Sequence, residues 1–94
     1  MDLVLVNKFV SERWMIYGDK KVIGLTLNDL RGDEGSYSRD DFAEFAGISL
    51  NAYVNIENGN SLIKIDTLHN LLSELSLPLS VFFRRVKAKI ESSK

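Results

Sequence analysis

Between residues 38 and 59 the chain writes the same local pattern twice: a side chain that opens a helix, a short apolar stripe, and a glycine that ends it. Ser38 stands before Arg39-Asp40-Asp41, which puts one carboxylate three residues on at Asp41 and another at Asp40, both favourable beside the positive end of a helix. Phe42, Phe45 and Ala46 supply the stripe, and Gly47 breaks the helix after about two turns. Ser49 opens a second short helix carrying Tyr53 and Ile56, and Asn58-Gly59 closes it, since those residue types tolerate positive φ best. Two helices this short have to pack against their flanking segments to bury a core.

Those flanks are helical by the same reading. Ile23, Leu27 and Leu30 recur at four and three, and the polar stretch Gly32-Asp33-Glu34-Gly35 follows them as a turn. Ile65, Leu68, Leu72 and Leu75 mark a helix over about 65–75. Pro78 marks the next start, because a missing N–H costs nothing in a first turn, and Leu79, Phe82, Phe83, Val86 and Ile90 form the stripe of that last helix. At the N-terminus Leu3, Val6, Val10, Trp14 and Tyr17 also follow a helical period, with Gly18 as the cap. Trp14–Tyr17, Gly18-Asp19 and Val22–Leu27 fit two strands and a turn as well, so residues 3–22 read as helix or as hairpin.

With 94 residues the chain supports one compact domain, and its 45% hydrophobic and 27% charged residues lie far from the composition of a disordered chain. There is no cysteine, hence no disulfide framework, thiolate metal site or cysteine nucleophile, and a reducing cytosol fits best. Asn7, Lys8, Glu12 and Arg13 interrupt the apolar N-terminal run, so neither a membrane span nor a secretory signal is expected. The charge is uneven. Arg84, Arg85, Lys87, Lys89 and Lys94 face only Glu91 in the last eleven residues, which leaves the rest of the chain acidic and unsuited to binding polyanions in general. Any nucleic-acid contact has to come from basic groups placed locally.

Two short helices joined by a tight glycine-containing turn have the geometry of a helix-turn-helix unit. Ala43 is small where the helices cross, Gly47 makes the turn, and Ile56 pins the second helix to the core. The string AEFAGIS, from Ala43 to Ser49, followed by IENG, from Ile56 to Gly59, resembles the lambda-repressor/Cro type of helix-turn-helix, also called the XRE family. The resemblance covers about residues 23–83. It implies an all-α, five-helix DNA-binding domain acting as a dimer on palindromic sites, here within a single domain over 1–94. Residues 1–20 form an N-terminal extension, 23–83 the helix-turn-helix core, and 84–94 the basic end of the C-terminal helix. The chain departs from the family in four ways, the first being one extra residue in the turn before Ser38. Arg39 stands where Gln is common, Tyr53 where Ile or Val is usual, and neither Leu50 nor Asn55 is the Arg or Lys that relatives often carry.

The outward face of the second helix follows from geometry alone. At about 100° per residue with Tyr53 at zero, Ile56 falls near −60°, while Asn51, Asn55 and Asn58 fall near 160°, 200° and 140°. A carboxamide pairs bidentately with adenine N6 and N7 in the major groove, and apolar groups meet thymine methyls. Leu50, Asn51, Ala52 and Asn55 are therefore the expected base contacts, favouring A·T-containing half-sites. Ser38, Arg39, Ser49, Asn60 and Lys64 are the expected phosphate contacts, through helix N-termini and nearby hydroxyl, amide and cationic groups. Glu57 would repel phosphate and is assigned to structure. His69, the single histidine, borders the apolar side of its helix and reads as a core-edge residue. Asp40 and Asp41 diverge on successive positions, which suits capping and not shared chemistry. The sequence has no phosphate-binding glycine loop, zinc-ligand spacing or nucleophile elbow, so neither enzyme activity nor a metal or cofactor is expected.

One small reading module gains affinity by pairing on half-sites about one helical turn apart, so a homodimer is expected. The expected interface is Phe82, Phe83, Val86 and Ile90 of the last helix, with Val10 and Trp14 contributing from the first segment. The leading expectation is a cytoplasmic, nucleoid-associated transcriptional regulator of bacterial or phage origin that binds double-stranded DNA. The competing expectation is an antitoxin-like interaction module that meets a protein partner through its apolar N-terminal segment.

Overall fold

The computed structural model describes residues 19–92, and among them it holds five helices and no strand. These are α1 (Lys20–Asp33), α2 (Arg39–Ala46), α3 (Leu50–Glu57), α4 (Ile65–Glu74) and α5 (Leu79–Ser92). The hairpin alternative over residues 3–22 fails at its second strand, because Val22–Leu27 lie inside α1; the rest of that question, and with it Val10 and Trp14, lies outside the described residues. α1 is longer than its three-residue stripe suggested, starting at Lys20 and running for 14 residues.

The helix-turn-helix caps form as their residues dictate. Ser38 Oγ accepts from Asp41 N at 3.0 Å while Ser38 N donates to Asp41 Oδ2 at 2.9 Å, a reciprocal capping box. Gly47 ends α2 with φ of 73°; its N–H reaches Glu44 O and the Ile48 N–H reaches Ala43 O at 3.0 Å, a full Schellman closure. Ser49 then caps α3 by accepting from Ala52 N at 3.1 Å. At the far end Asn58 remains right-handed with φ of −78°, and Gly59 alone takes the left-handed position at 79°. α4 closes in the same manner on Ser76, a non-glycine at φ of 53°, with Leu77 N donating to Leu72 O at 2.9 Å. α5 starts behind Pro78, whose carbonyl accepts from Val81 N and Phe82 N.

α1 packs on α3 and on α5, and α2 packs on α3 and on α4. The shared core is Leu27, Leu30, Phe42, Tyr53, Leu68, Leu71, Leu72, Phe82 and Val86, all removed from solvent. Tyr53 meets Phe42 edge-on at a centroid separation of 6.0 Å, a favoured arrangement for aromatic pairs. Phe82 and Val86 are thus interior residues of the chain itself. Their side chains cannot supply the dimer surface expected of them, because the core stripe of α5 is consumed against α1 and its neighbours. His69 is also corrected: it is exposed on α4, outside the core edge.

α1 and α3 touch backbone to side face at Gly24, in the interior of α1. A Cβ placed there would stand 2.3 Å from Glu57 O and 2.7 Å from Ile56 O, far inside van der Waals contact. The chain accepts the helix-weakening effect of a mid-helix glycine in exchange for this close approach.

Glu57 ties three helices together just beyond that contact. Its side chain is 3% exposed and takes four hydrogen bonds: from Arg31 Nε to Oε2 and Arg31 Nη2 to Oε1, both 2.9 Å, from Arg39 Nε to Oε1 at 3.0 Å, and from the Tyr53 hydroxyl to Oε2 at 2.6 Å. Arg31 also donates through Nη1 to Tyr37 O at 2.9 Å, which fixes the turn between α1 and α2. Burial acts to raise the Glu57 pKa, but the hydrogen bonds from Arg31, Tyr53 and Arg39 outweigh it and hold the carboxyl below its ordinary value. The Glu57 hydrogen bond likewise raises Arg31, and burial together with that carboxylate pushes the Tyr53 hydroxyl far up. All three groups therefore keep one protonation state through neutral pH.

Gly24→Ala, a change that favours an isolated helix, is expected to destabilise the protein by about 1–3 kcal/mol through the forced separation of α1 from α3. Gly32→Ala, in the same helix but with nothing within 4 Å of its added methyl, is expected to stabilise by about 0.5–1 kcal/mol. Urea denaturation of the two variants reads both signs. Because the folded Glu57 pKa is depressed, its stabilisation is complete above the unfolded carboxylate range near ~4.3 and is lost as pH falls through the folded value. Glu57→Gln should cost about 1.5–3 kcal/mol at pH 7 and flatten the loss of stability below pH ~4, measured by thermal unfolding across pH.

Candidate nucleic-acid interface

α3 divides its side chains cleanly. Tyr53, Ile56 and Glu57 are buried, Ala52 and Val54 are half-buried, and Asn51, Asn55 and Asn58 are exposed, as the helical rotation requires. Leu50, in the first turn, is 41% exposed. Of the four residues expected to read bases, Leu50, Asn51 and Asn55 are open to solvent and Ala52 sits at the margin. The open face of α3 carries carboxamides and one leucine; its single charged residue, Glu57, points into the protein. Such a face offers paired donors and acceptors without a net field.

The residues expected to hold phosphates fall into two groups. Ser38 and Ser49 are exposed N-caps whose oxygens already accept backbone N–H groups, which leaves each hydroxyl proton as a donor. Arg39 follows Ser38 directly and is half-exposed; its Nε is committed to Glu57, which fixes how the guanidinium is turned. Asn60 and Lys64 are exposed on the connection from α3 to α4, with Lys64 at the N-cap of α4. The Asn60 backbone N–H is spent on Asn55 O at 2.8 Å, so only its side chain faces outward.

Sequence reasoning passed over several residues that build this site. Arg31 fixes Glu57 from 26 residues away, and no local pattern announces a pair at that separation. Gly24 carried a signal, a glycine inside an apolar helical stripe, which marks a close approach of another backbone. Leu62 and Ile65 flank Lys64 and are exposed, giving that loop an apolar rim. On α5, Phe83 and Ile90 are half-buried against the core, in contrast to the fully interior Phe82 and Val86. Among the described residues no helix is long and apolar enough to cross a membrane.

No curated protein matches the chain. A family model described as helix-turn-helix matches residues 27–82, from the middle of α1 to the first turn of α5, which is more than half of the sequence and contains α2, α3 and α4 whole. With the capped pair α2 and α3, the glycine turn and the amide-bearing outer face of α3 in place, the chain belongs to the lambda-repressor/Cro-like (XRE) helix-turn-helix family, a family of DNA-binding domains.

Proposed function

We propose that the protein is a sequence-specific transcriptional regulator that occupies a palindromic operator as a homodimer, with α3 lying in the major groove of each half-site. The observation that carries this reading is the exposure of Asn51 and Asn55 on the same helix whose Tyr53 and Ile56 are sealed into the core. A reading helix needs a rigid inner face and an uncommitted outer one, because a side chain that wavers loses discrimination between bases. In this reading Leu50, Asn51, Ala52 and Asn55 meet base edges and thymine methyls. Ser38, Arg39, Ser49, Asn60 and Lys64 hold phosphates and set the register of the helix.

With no cation on α3, the electrostatic part of the affinity falls to Arg39 and Lys64 at its flanks, and the interaction is modest in its salt dependence. Dimer formation in this reading draws on the half-buried Phe83 and Ile90 of α5, since Phe82 and Val86 are committed to the core, and on Val10 and Trp14 of the preceding segment. Regulation then follows from occupancy of the operator, which tracks the concentration of the dimer.

Selection of bound duplexes from a random pool, with the mass of the resulting complex, tests site and stoichiometry together: a palindromic consensus bound by two chains is expected. Asn51→Ala should relax preference at particular base pairs at about 1–3 kcal/mol per position, whereas Lys64→Ala should weaken all sequences alike and lower the salt slope by roughly one. Fluorescence anisotropy against the selected site across salt concentrations separates the two effects. A response flat in both sequence and salt would reject the regulator and leave the antitoxin-like protein-binding role.

A further inference from the structure

A hollow opens between the outer face of α1 and the end of α3, lined by Lys21, Leu25, Asn28, Arg39, Glu57 and Asn58. Its lining is mixed in character. Leu25 is 57% exposed, the most open of the large apolar residues among those described, and Arg39, with its Nε held by Glu57, keeps a half-exposed guanidinium plane. Acceptors are present too. The backbone N–H groups that close α3 go to Val54 O, Asn55 O and Ile56 O, and none of them to Glu57 O, while the exposed Asn58 carboxamide makes no hydrogen bond among the described residues. An open leucine, a guanidinium plane and an uncommitted acceptor together suit an aromatic ring that carries a single N–H donor.

The sequence just before α1 supplies one. Ten of the fifteen residues 3–17 are apolar, and Trp14 among them is the single tryptophan of the chain. The point at which this segment joins the domain is fixed beside the hollow. A Cβ on Gly59 would stand 3.0 Å from Lys21 Cα, so the first turn of α1 lies against the closure of α3. Leu25 follows Lys21 by four residues, one turn on along the same face and a rise of about 6 Å. Trp14 precedes the Asp19 N-cap by five residues, a length that reaches up to about 17 Å and is enough to turn back at Gly18-Asp19 and lie over that turn.

We propose that the hollow between α1 and the end of α3 is the docking site of the chain's own segment before α1, with the Trp14 ring seated against Leu25 and Arg39 and its Nε1–H donating to the Asn58 carboxamide oxygen. The contact is autoinhibitory. It covers Arg39 and the end of α3, so a duplex that engages them has to displace it. That consequence rests on the operator-binding reading above, whereas the docking itself does not.

The full chain reports on this contact through its one tryptophan. Quenching of Trp14 fluorescence by acrylamide is expected to fall well below that of free tryptophan, at a level independent of protein concentration. Leu25→Gln exchanges an exposed residue for one equally suited to a helix, and it should shift the docking equilibrium roughly tenfold toward release and raise the quenching. Ile65→Gln removes a comparably exposed apolar side chain at the start of α4, outside the hollow, and should leave the quenching unchanged. A bound duplex should raise the quenching of the unmodified chain to the level of Leu25→Gln, and that variant should bind the duplex more tightly. If no duplex binds while Leu25→Gln still frees Trp14, the docking stands and the operator reading fails by itself. Three results overturn the proposal: quenching that Leu25→Gln and Ile65→Gln affect alike, protection that grows with protein concentration, as a segment donated by a second copy would give, and a ring that stays protected on bound duplex.

Discussion

The Glu57 carboxylate is where α1, α2 and α3 are joined. Arg31 brings α1 to it, Arg39 brings the first residue of α2, and Tyr53 brings α3 itself, while the second arm of Arg31 reaches the turn before α2. A core of small helices packed through apolar side chains alone permits several crossing angles at nearly equal energy. A buried carboxylate with four directional partners does not, since any slip of α3 strands a charge away from water. Tyr53 belongs to this arrangement as much as to the core. Where relatives place Ile or Val, the larger side chain fills the same interior position and sends its hydroxyl on to Glu57.

Much of this was legible in the sequence wherever the determinant was local. The Ser38–Asp41 capping box, the Ser49 cap, the left-handed Gly47 and the inward pair Tyr53 and Ile56 each follow from residues within one turn of one another. The last helix shows where that kind of reading ends. Phe82, Phe83, Val86 and Ile90 form an apolar stripe, and a stripe says which residues avoid water but not whether the cover is the same chain or a second one; Phe82 and Val86 are buried within the chain itself. His69 was misplaced for a related reason, because helical position alone does not tell how far a neighbouring helix extends over a face. The Arg31–Glu57 and Arg39–Glu57 pairs span 26 and 18 residues, and nothing in either local sequence selects those partners.

The charge distribution around α3 also has a physical logic. The outer face keeps amides, the single carboxylate of the helix is turned inward and neutralised, and the cations stand on the flanking elements. In the proposed operator-binding reading, attraction to a polyanion and discrimination among its bases are carried by different side chains. Arg85 and Lys89 pair with Asp33 and Asp29 of α1, so part of the basic end of the sequence serves to hold the last helix in place.

The separation of faces on α3 makes the domain easy to retarget. Asn51 and Asn55 are exposed and lie outside the buried core, so in the proposed reading an exchange of these side chains alters what is recognised while the scaffold keeps its stability. The inner positions have no such freedom, and diversification within such a lineage would be confined to a few outward letters on an otherwise fixed frame.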